Sequence, residues 1–417
     1  MEKLRIGLIG LGTVGTGVYK SLKDFGNIEI VKIAVKNINK PRSIEISQNI
    51  LTDNPYEIVN DSSIDVVVEL IGGVEPAWSY IKTAIENGKH IVTANKELLA
   101  KKGEELFNLS EKHNRVVLYE AAIAGGIPII MPIKTILAGN KISKIQAILN
   151  GTTNYILTKM DTDGASYEDV LKEAQALGYA ETDPTGDVEG FDAAYKITTL
   201  GTIAFNSRIK FENVYREGIT KIRKEDMKNA NELGYKIKLI ATATIDENNN
   251  SDVRVHPMLV SKKNMLAHID YVTNAVAMSG HPIGDIVLSG PGAGEFPTAS
   301  SVIGDILAIA REWKTTDYLL PMMRCHHHKI SNPININDTC NKYYLSITAP
   351  NAIGVIAKIG TTCANKNVSL ANIMQKCLPN EDVAEITVIT ENCYEKDIKE
   401  VIEELDNCQI NSLLRVM

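Results

Sequence analysis

Residues 174–196, AQALGYAETDPTGDVEGFDAAYK, gather five carboxylates (Glu181, Asp183, Asp187, Glu189 and Asp192) and a single cation, the closing Lys196. Asp183-Pro184-Thr185-Gly186 is turn chemistry, because proline presets φ and glycine accepts a positive φ. Beyond Gly190 the residues 191–200 read as a helix, which puts Asp192 and Lys196 at i, i+4 on one face. An acid-rich turn that feeds a helix with an inward lysine suits a small cationic substrate carrying a group that must be protonated. The same letters fit a plainer pattern. Carboxylates cap helix N-termini and favour the positive end of the dipole, and a solvated Asp–Lys pair contributes only a few tenths of a kcal/mol, roughly 0.3.

The N-terminal third supplies a partner for such chemistry. Residues 4–9 form a short apolar run, followed at once by Gly10-Leu11-Gly12-Thr13-Val14-Gly15 and then by helical spacing to residue 22. A β-branched run at 28–35 closes a βαβ unit, so the glycines read as a dinucleotide fingerprint rather than as bare turn residues. Gly10 permits the tight turn, Gly12 lets the backbone approach a pyrophosphate, and Gly15 permits close helix–strand packing. The diphosphate would rest on the N-terminal amides of the following helix, from Thr13 and Val14. The second strand ends in Val35-Lys36-Asn37, with Lys40 and Arg42 behind, where an NAD site usually has an acid. Cations there suit a 2′-phosphate, so NADP is expected ahead of NAD.

The elements that must position these groups continue the pattern. Strands are expected at 65–70, 90–93 and 116–119 and helices at 76–87 and 97–113, which gives a doubly wound parallel sheet. Ligands bind beyond the carboxyl ends of such strands. Two segments fall there, Thr93-Ala94-Asn95-Lys96 and residues 120–126, and Lys96 follows its strand closely enough to reach the nicotinamide end. A strand at 141–148, a polar turn at 150–154 and strands at 237–245 and 253–257 suggest an open mixed sheet. Residues 281–294 read as loop-rich, ending in the Gly290–Gly294 glycine turn, which either lies against the cofactor or punctuates two domains. A helix at 297–311 follows. Beyond 341 the order is βαββαβ, with strands at 342–348, 368–375, 384–390 and 409–417 and helices at 354–366 and 397–408, which is ferredoxin-like.

Composition bounds the class. A chain of 417 residues needs two or three domains, and 44% hydrophobic with 23% charged residues is globular. The net charge of −7 argues against nucleic acid or an anionic membrane as partner. The chain enters a strand-like run at once, with no cationic leader, and no apolar stretch approaches the roughly 20 residues that span a bilayer. A cytoplasmic protein is expected. Cys325, Cys340, Cys363, Cys377, Cys393 and Cys408 form no CxxC, so free thiols in a reducing compartment are expected. Cys325 followed by His326, His327 and His328 offers metal ligands, but three adjacent histidines point in different directions and do not all reach one ion.

These segments resemble the homoserine dehydrogenase family over essentially the whole chain. The resemblance rests on GLGTVG at 10–15, TANKELLA at 93–100, EAAIAGGIP at 120–128, NGTTNYIL at 150–157, the 174–196 run and GPGAGEFPTA at 290–299. It implies a Rossmann-type domain at 1–128, completed by a return segment near 300–335. It also implies an α+β catalytic and dimerisation domain at 129–299 and a ferredoxin-like ACT regulatory domain at 341–417. The implied reaction is the reversible NAD(P)H-dependent reduction of L-aspartate 4-semialdehyde to L-homoserine, on the way to threonine, methionine and isoleucine. By the resemblance Lys196 is the proton donor, with Lys96 beside it. Glu181, Asp187, Asp192, Thr152 and Gly178 serve the substrate. Gly10, Gly12, Thr13, Val14, Gly15, Lys36, Thr93, Lys96, Gly292 and Gly294 serve the cofactor. A monovalent cation, usually sodium, is implied at Glu120, Ile123, Gly125 and Ile127. The resemblance further implies an amino-acid effector at the tail and a homodimer or higher homo-oligomer. The tail departs from the ACT pattern at its first turn, where Pro350-Asn351-Ala352-Ile353-Gly354 keeps the glycine but replaces the acid and the proline.

Overall fold

The structure, a computed structural model, describes residues 3–377, 382–406 and 408–417, so residue 407 of the helix expected at 397–408 lies outside them. The chain forms two compact units, one of residues 1–145, 192–213 and 273–331, the other of 146–191, 214–272 and 332–417.

In the first unit Leu4–Ile9 (β1), Thr13–Leu22 (α1), Ile28–Ala34 (β2), Leu51–Thr52 (β3), Tyr56–Val59 (α2), Val66–Glu69 (β4), Ala77–Glu86 (α3), His90–Thr93 (β5), Lys96–Lys112 (α4) and Val117–Leu118 (β6) follow in order. The strands pair in parallel as β3-β2-β1-β4-β5-β6. Strands covered on both faces read as unbroken apolar runs, and Val66, Val67, Val68, Ile91 and Val92 are fully buried. The order reverses between β1 and β4, which opens the crevice where such sheets take ligands. The helix Glu295–Glu312 packs on α1 closely enough that a Cβ on Gly17 would stand 2.6 Å from the Glu295 carbonyl oxygen. Lys20 pairs with Glu295 across the same contact at 2.7 Å.

Two local expectations are corrected. The loop-rich stretch at 281–294 is mostly strand: Thr273–His281 and Gly284–Pro291 form an antiparallel hairpin, and only the last residues turn. Gly284 (φ +78°) supplies the tight reversal, and its glycine and proline neighbours hide the alternation of the strand. The polar turn at 150–154 is the start of the helix Gly151–Asp163. Asn150 caps it, accepting from the Thr153 amide at 2.8 Å, so the polar letters mark a helix start rather than a reversal.

The second unit is built on a mixed sheet. Strands Tyr235–Ile245 and Asn250–Ser261 pair antiparallel along their full lengths. Gln409–Val416 joins Asn250–Ser261 in parallel at Met258 and Leu259, and Cys340–Pro350, Val383–Thr390 and Leu370–Cys377 follow in antiparallel order. With helices Val355–Asn365 and Glu395–Glu404, these last four strands make the expected βαββαβ module. Its core holds Tyr343, Leu345, Ile347, Ile359, Ile386, Val388, Ile398 and Val401. Fully buried Arg415 bridges Glu395 and, at 2.8 Å, Glu217.

Candidate active site

The glycine turn after β1 has the shape a dinucleotide requires. Gly10 adopts φ +102°, and a Cβ on Gly15 would fall 2.3 Å from the Gly10 carbonyl oxygen. A Cβ on Gly12 would meet nothing within 4 Å, and Gly12 caps α1 without a side-chain hydrogen bond. Thr13 and Val14 thus begin α1 beside open space, where backbone amides and the helix dipole favour a phosphate. After β2, Lys36 and Lys40 are exposed. Arg42 is occupied differently: its guanidinium donates to the carbonyls of Asn37 (2.7 Å), Ile38 (2.8 Å) and Lys40 (2.9 Å) and so closes its own loop.

Beyond β4 and β5 a buried network sets the start of α4. Glu69, fully buried at the end of β4, accepts from the Thr93 hydroxyl at 2.6 Å and from the amides of Ile71 and Gly72. Burial pushes its carboxyl above the usual range, against those hydrogen bonds. Thr93 in turn accepts from the Asn95 amide at 3.0 Å, and Asn95 caps α4 by accepting from the Leu98 amide at 3.0 Å. Glu69 and Asn95 were not singled out from sequence, although Asn before a helical run is an N-cap signal.

Lys96 is therefore the first residue of α4, and it meets the helix Phe191–Phe205. Asp192 Oδ1 holds Lys96 Nζ at 2.7 Å and Asp192 Oδ2 holds Lys196 Nζ at 2.7 Å. One carboxylate thus brings two ammonium groups together. Asp192 and Lys196 are 7% and 8% exposed, so the i, i+4 pair is buried and is not a solvated surface pair. The two ammonium groups concentrate positive charge beside one buried carboxylate.

The other acids of the 174–196 run lie in the second unit. Asp187 Oδ1 accepts from Asn150 Nδ2 at 2.6 Å, and the Thr152 hydroxyl donates to the Tyr179 carbonyl at 2.7 Å. Gly178 turns the chain at φ +76°. Glu181 is exposed, and its carboxylate has no hydrogen bond or ion pair among the described residues.

The turn at 120–131 is buried in the first unit. Both Glu120 carboxylate oxygens are taken by backbone amides, those of Ile129, Ile130 and Met131. The Gly125 carbonyl accepts from the Ser301 hydroxyl at 2.6 Å. Gly125 (φ +59°) lies so near Gly292 that a Cβ would stand 2.2 Å from the Gly292 carbonyl oxygen. The Gly290–Gly294 turn is thus packed on residues 125–126, with Gly294 at φ +124° before the helix Glu295–Glu312.

Comparison with known proteins gives the same picture along the chain. Residues 10–120 match the family described as homoserine dehydrogenase, NAD binding domain, residues 128–307 match homoserine dehydrogenase, and residues 343–408 match the ACT domain. A Synechocystis protein named homoserine dehydrogenase is 40% identical, with 99% of each chain covered. The crystal structure of a homoserine dehydrogenase from Thiobacillus denitrificans superposes with a TM-score of 0.94 at 38% identity, covering 100% of this chain and 99% of its own. A hyperthermophilic archaeal homoserine dehydrogenase, solved in complex with NADPH, matches at 28% identity and a TM-score of 0.63 over 75% of this chain and 98% of its own. With a nucleotide fold, a lysine pair on one buried carboxylate and relatives spanning the full length, the chain belongs to the homoserine dehydrogenase family.

Proposed function

We propose that Lys196 delivers the proton, and Lys96 the second positive charge, in the reduction of L-aspartate 4-semialdehyde to L-homoserine. The observation that carries this is Asp192, with one lysine on each oxygen at 2.7 Å. A bound nicotinamide cofactor supplies the hydride, and that chemistry is its own. As the aldehyde oxygen gains charge, the Lys196 ammonium gives it a proton and becomes a neutral amine, while Lys96 and Asp192 keep the donor oriented. In the reverse direction the neutral amine takes the alcohol proton, so oxidation speeds up at high pH. Glu181 and Asp192 would hold the substrate ammonium, with Asp187 in support, Thr152 nearby and Gly178 behind. The unpartnered Glu181 carboxylate supports this role.

The cofactor is NADP ahead of NAD. Exposed Lys36 and Lys40, with no acid after β2, support a 2′-phosphate, in keeping with the NADPH bound by the archaeal relative. A monovalent cation, sodium by analogy, is assigned to carbonyls of Glu120, Ile123, Gly125 and Ile127. Asp305 Oδ1, buried without a partner among the described residues, fits a cation nearby, since Asp305 Oδ2 already accepts from the Glu120 amide at 2.9 Å. A rise in melting temperature with sodium over tetramethylammonium would support it. The tail is read as an amino-acid effector module, the protein as a homo-oligomer, and the free thiols as those of a cytoplasmic chain.

The decisive experiment is turnover of L-aspartate 4-semialdehyde by the Lys196→Ala variant, with NADPH and with NADH. A loss of about 100-fold or more in kcat, with NADPH still bound, is expected. Near-normal turnover would remove Lys196 from its role.

A further inference from the structure

The segment Cys325-His326-His327-His328 takes no part in the chemistry above, and its three imidazoles divide. His327 turns inward and is 7% exposed. Its Nδ1 lies 2.9 Å from Asn206 Oδ1, and Arg208 Nε donates to its carbonyl at 3.1 Å. Burial first, and then the charges of Lys134 and Arg208, push its pKa down to about 3. With the middle residue pinned, the His328 amide donates to the His326 carbonyl at 3.0 Å. The two flanking rings stand exposed with their centroids 6.4 Å apart. Glu111, in the last turn of α4, meets them there. Its Oε1 is 3.4 Å from His326 Nδ1, and one ligand atom from each of Glu111, His326 and His328 lies within 4.8 Å of the others.

We propose that Glu111, His326 and His328 form a binding site for a borderline divalent transition-metal ion, Zn²⁺ or its chemical neighbours Co²⁺ and Ni²⁺. Two imidazole nitrogens and one carboxylate oxygen are the donors such ions select, whereas calcium and magnesium call for oxygen throughout. Bonds of about 2.0–2.1 Å put tetrahedral donors roughly 3.3 Å apart. All three side chains are exposed and therefore free of packing that would hold them at the wider spacing. Water fills the remaining position. Arg324 adds positive charge near Glu111, yet its guanidinium is committed to Asn114 Oδ1 at 2.8 Å and the Leu319 carbonyl at 3.2 Å. Among the described residues Glu111 therefore pairs only with His326. The site is distinct from the lysine pair, since Lys96 and Glu111 lie near opposite ends of α4, about 22 Å apart along its axis. A bound ion clamps residues 326–328 onto the end of that helix and stabilises the folded chain by mass action.

The test uses the full-length chain without a polyhistidine tag, titrated with ZnCl₂ by calorimetry and with CoCl₂ by visible absorption. One Zn²⁺ per chain, four- or five-coordinate Co²⁺ bands and a rise in melting temperature with ZnCl₂ are expected. His326→Ala, His328→Ala and Glu111→Gln should each weaken Zn²⁺ binding by at least ~100-fold, the upper end of what losing an outer-shell partner costs. They should also abolish the thermal shift and leave turnover unchanged. His268→Ala, at an exposed histidine elsewhere, should keep wild-type affinity. No binding by the wild type at millimolar ZnCl₂, or unchanged binding by a Glu111→Gln/His326→Ala double variant with wild-type melting temperature, overturns the proposal.

Discussion

At the scale of single residues, the site is marked by groups placed against local rules. A cation at the first position of a helix faces the positive end of the dipole and costs roughly 0.3–1 kcal/mol, yet Lys96 opens α4. A lysine in a helix interior normally snorkels to water, yet Lys196 is 8% exposed. Asp192 offsets both, and real proteins break such rules chiefly where function requires it. Asp192→Asn keeps the shape and leaves two ammonium groups facing a neutral amide. Its turnover should fall about 100-fold or more, with NADPH binding retained in a fluorescence titration. Steady-state kinetics that match the wild type would make Asp192 a bystander.

At the scale of elements, β5 carries a pH dependence of its own. His90 opens the strand, and its Nδ1 accepts the Val116 amide at 3.1 Å, which requires that nitrogen to be unprotonated. Burial above all, then the charges of Arg115 and Arg324, push its pKa down to about 4. The folded value lies below the unfolded one, about 6.5. The stability is therefore fully present above pH 6.5 and is lost as pH falls toward 4, by about 1–2 kcal/mol at pH 5. Urea midpoints at pH 7 and pH 5 should differ more for the wild type than for His90→Gln, which keeps an acceptor but does not titrate. Equal differences would exclude His90 as the source. The strand itself was legible in the sequence from end to end, as was β1, because short runs dominated by apolar residues between helical segments mark buried parallel strands. The hairpin at 273–291 was not, since glycine at a strand end reads as a turn until its partner strand is known. Glu69 was missed for a similar reason. A carboxylate at the end of a strand reads as solvated until Thr93 arrives from 24 residues away and the chain turns back to offer the amides of Ile71 and Gly72. The three histidines were expected to point in different directions; the structure turns His327 inward on Asn206 and leaves His326 and His328 exposed, a division that only the packing around Asn206 reveals.

At the scale of the molecule, the ACT module joins the rest of the second unit through a shared sheet. Strand Gln409–Val416 is the last of the βαββαβ module and pairs with Asn250–Ser261 of the neighbouring hairpin. The shared hydrogen-bonded strands tie the stability of the module to that of the hairpin. Arg415 is the buried charge at that seam. Burial works against its guanidinium, but Glu217 and Glu395 hold it charged, above its ordinary range. The two acids come from either side of the seam, Glu395 from the module and Glu217 from the segment beside Asn250–Ser261. Removing one member of a buried ion network leaves the others uncompensated and costs roughly 3–5 kcal/mol. For a unit of this size Arg415→Ala should lower the melting temperature by roughly 6–20 °C. Calorimetry should record the hairpin and the module unfolding in one transition, shifted as a whole. If Arg415→Ala instead releases a separate early transition while the rest melts as before, the module is an independent domain and the sheet carries no coupling.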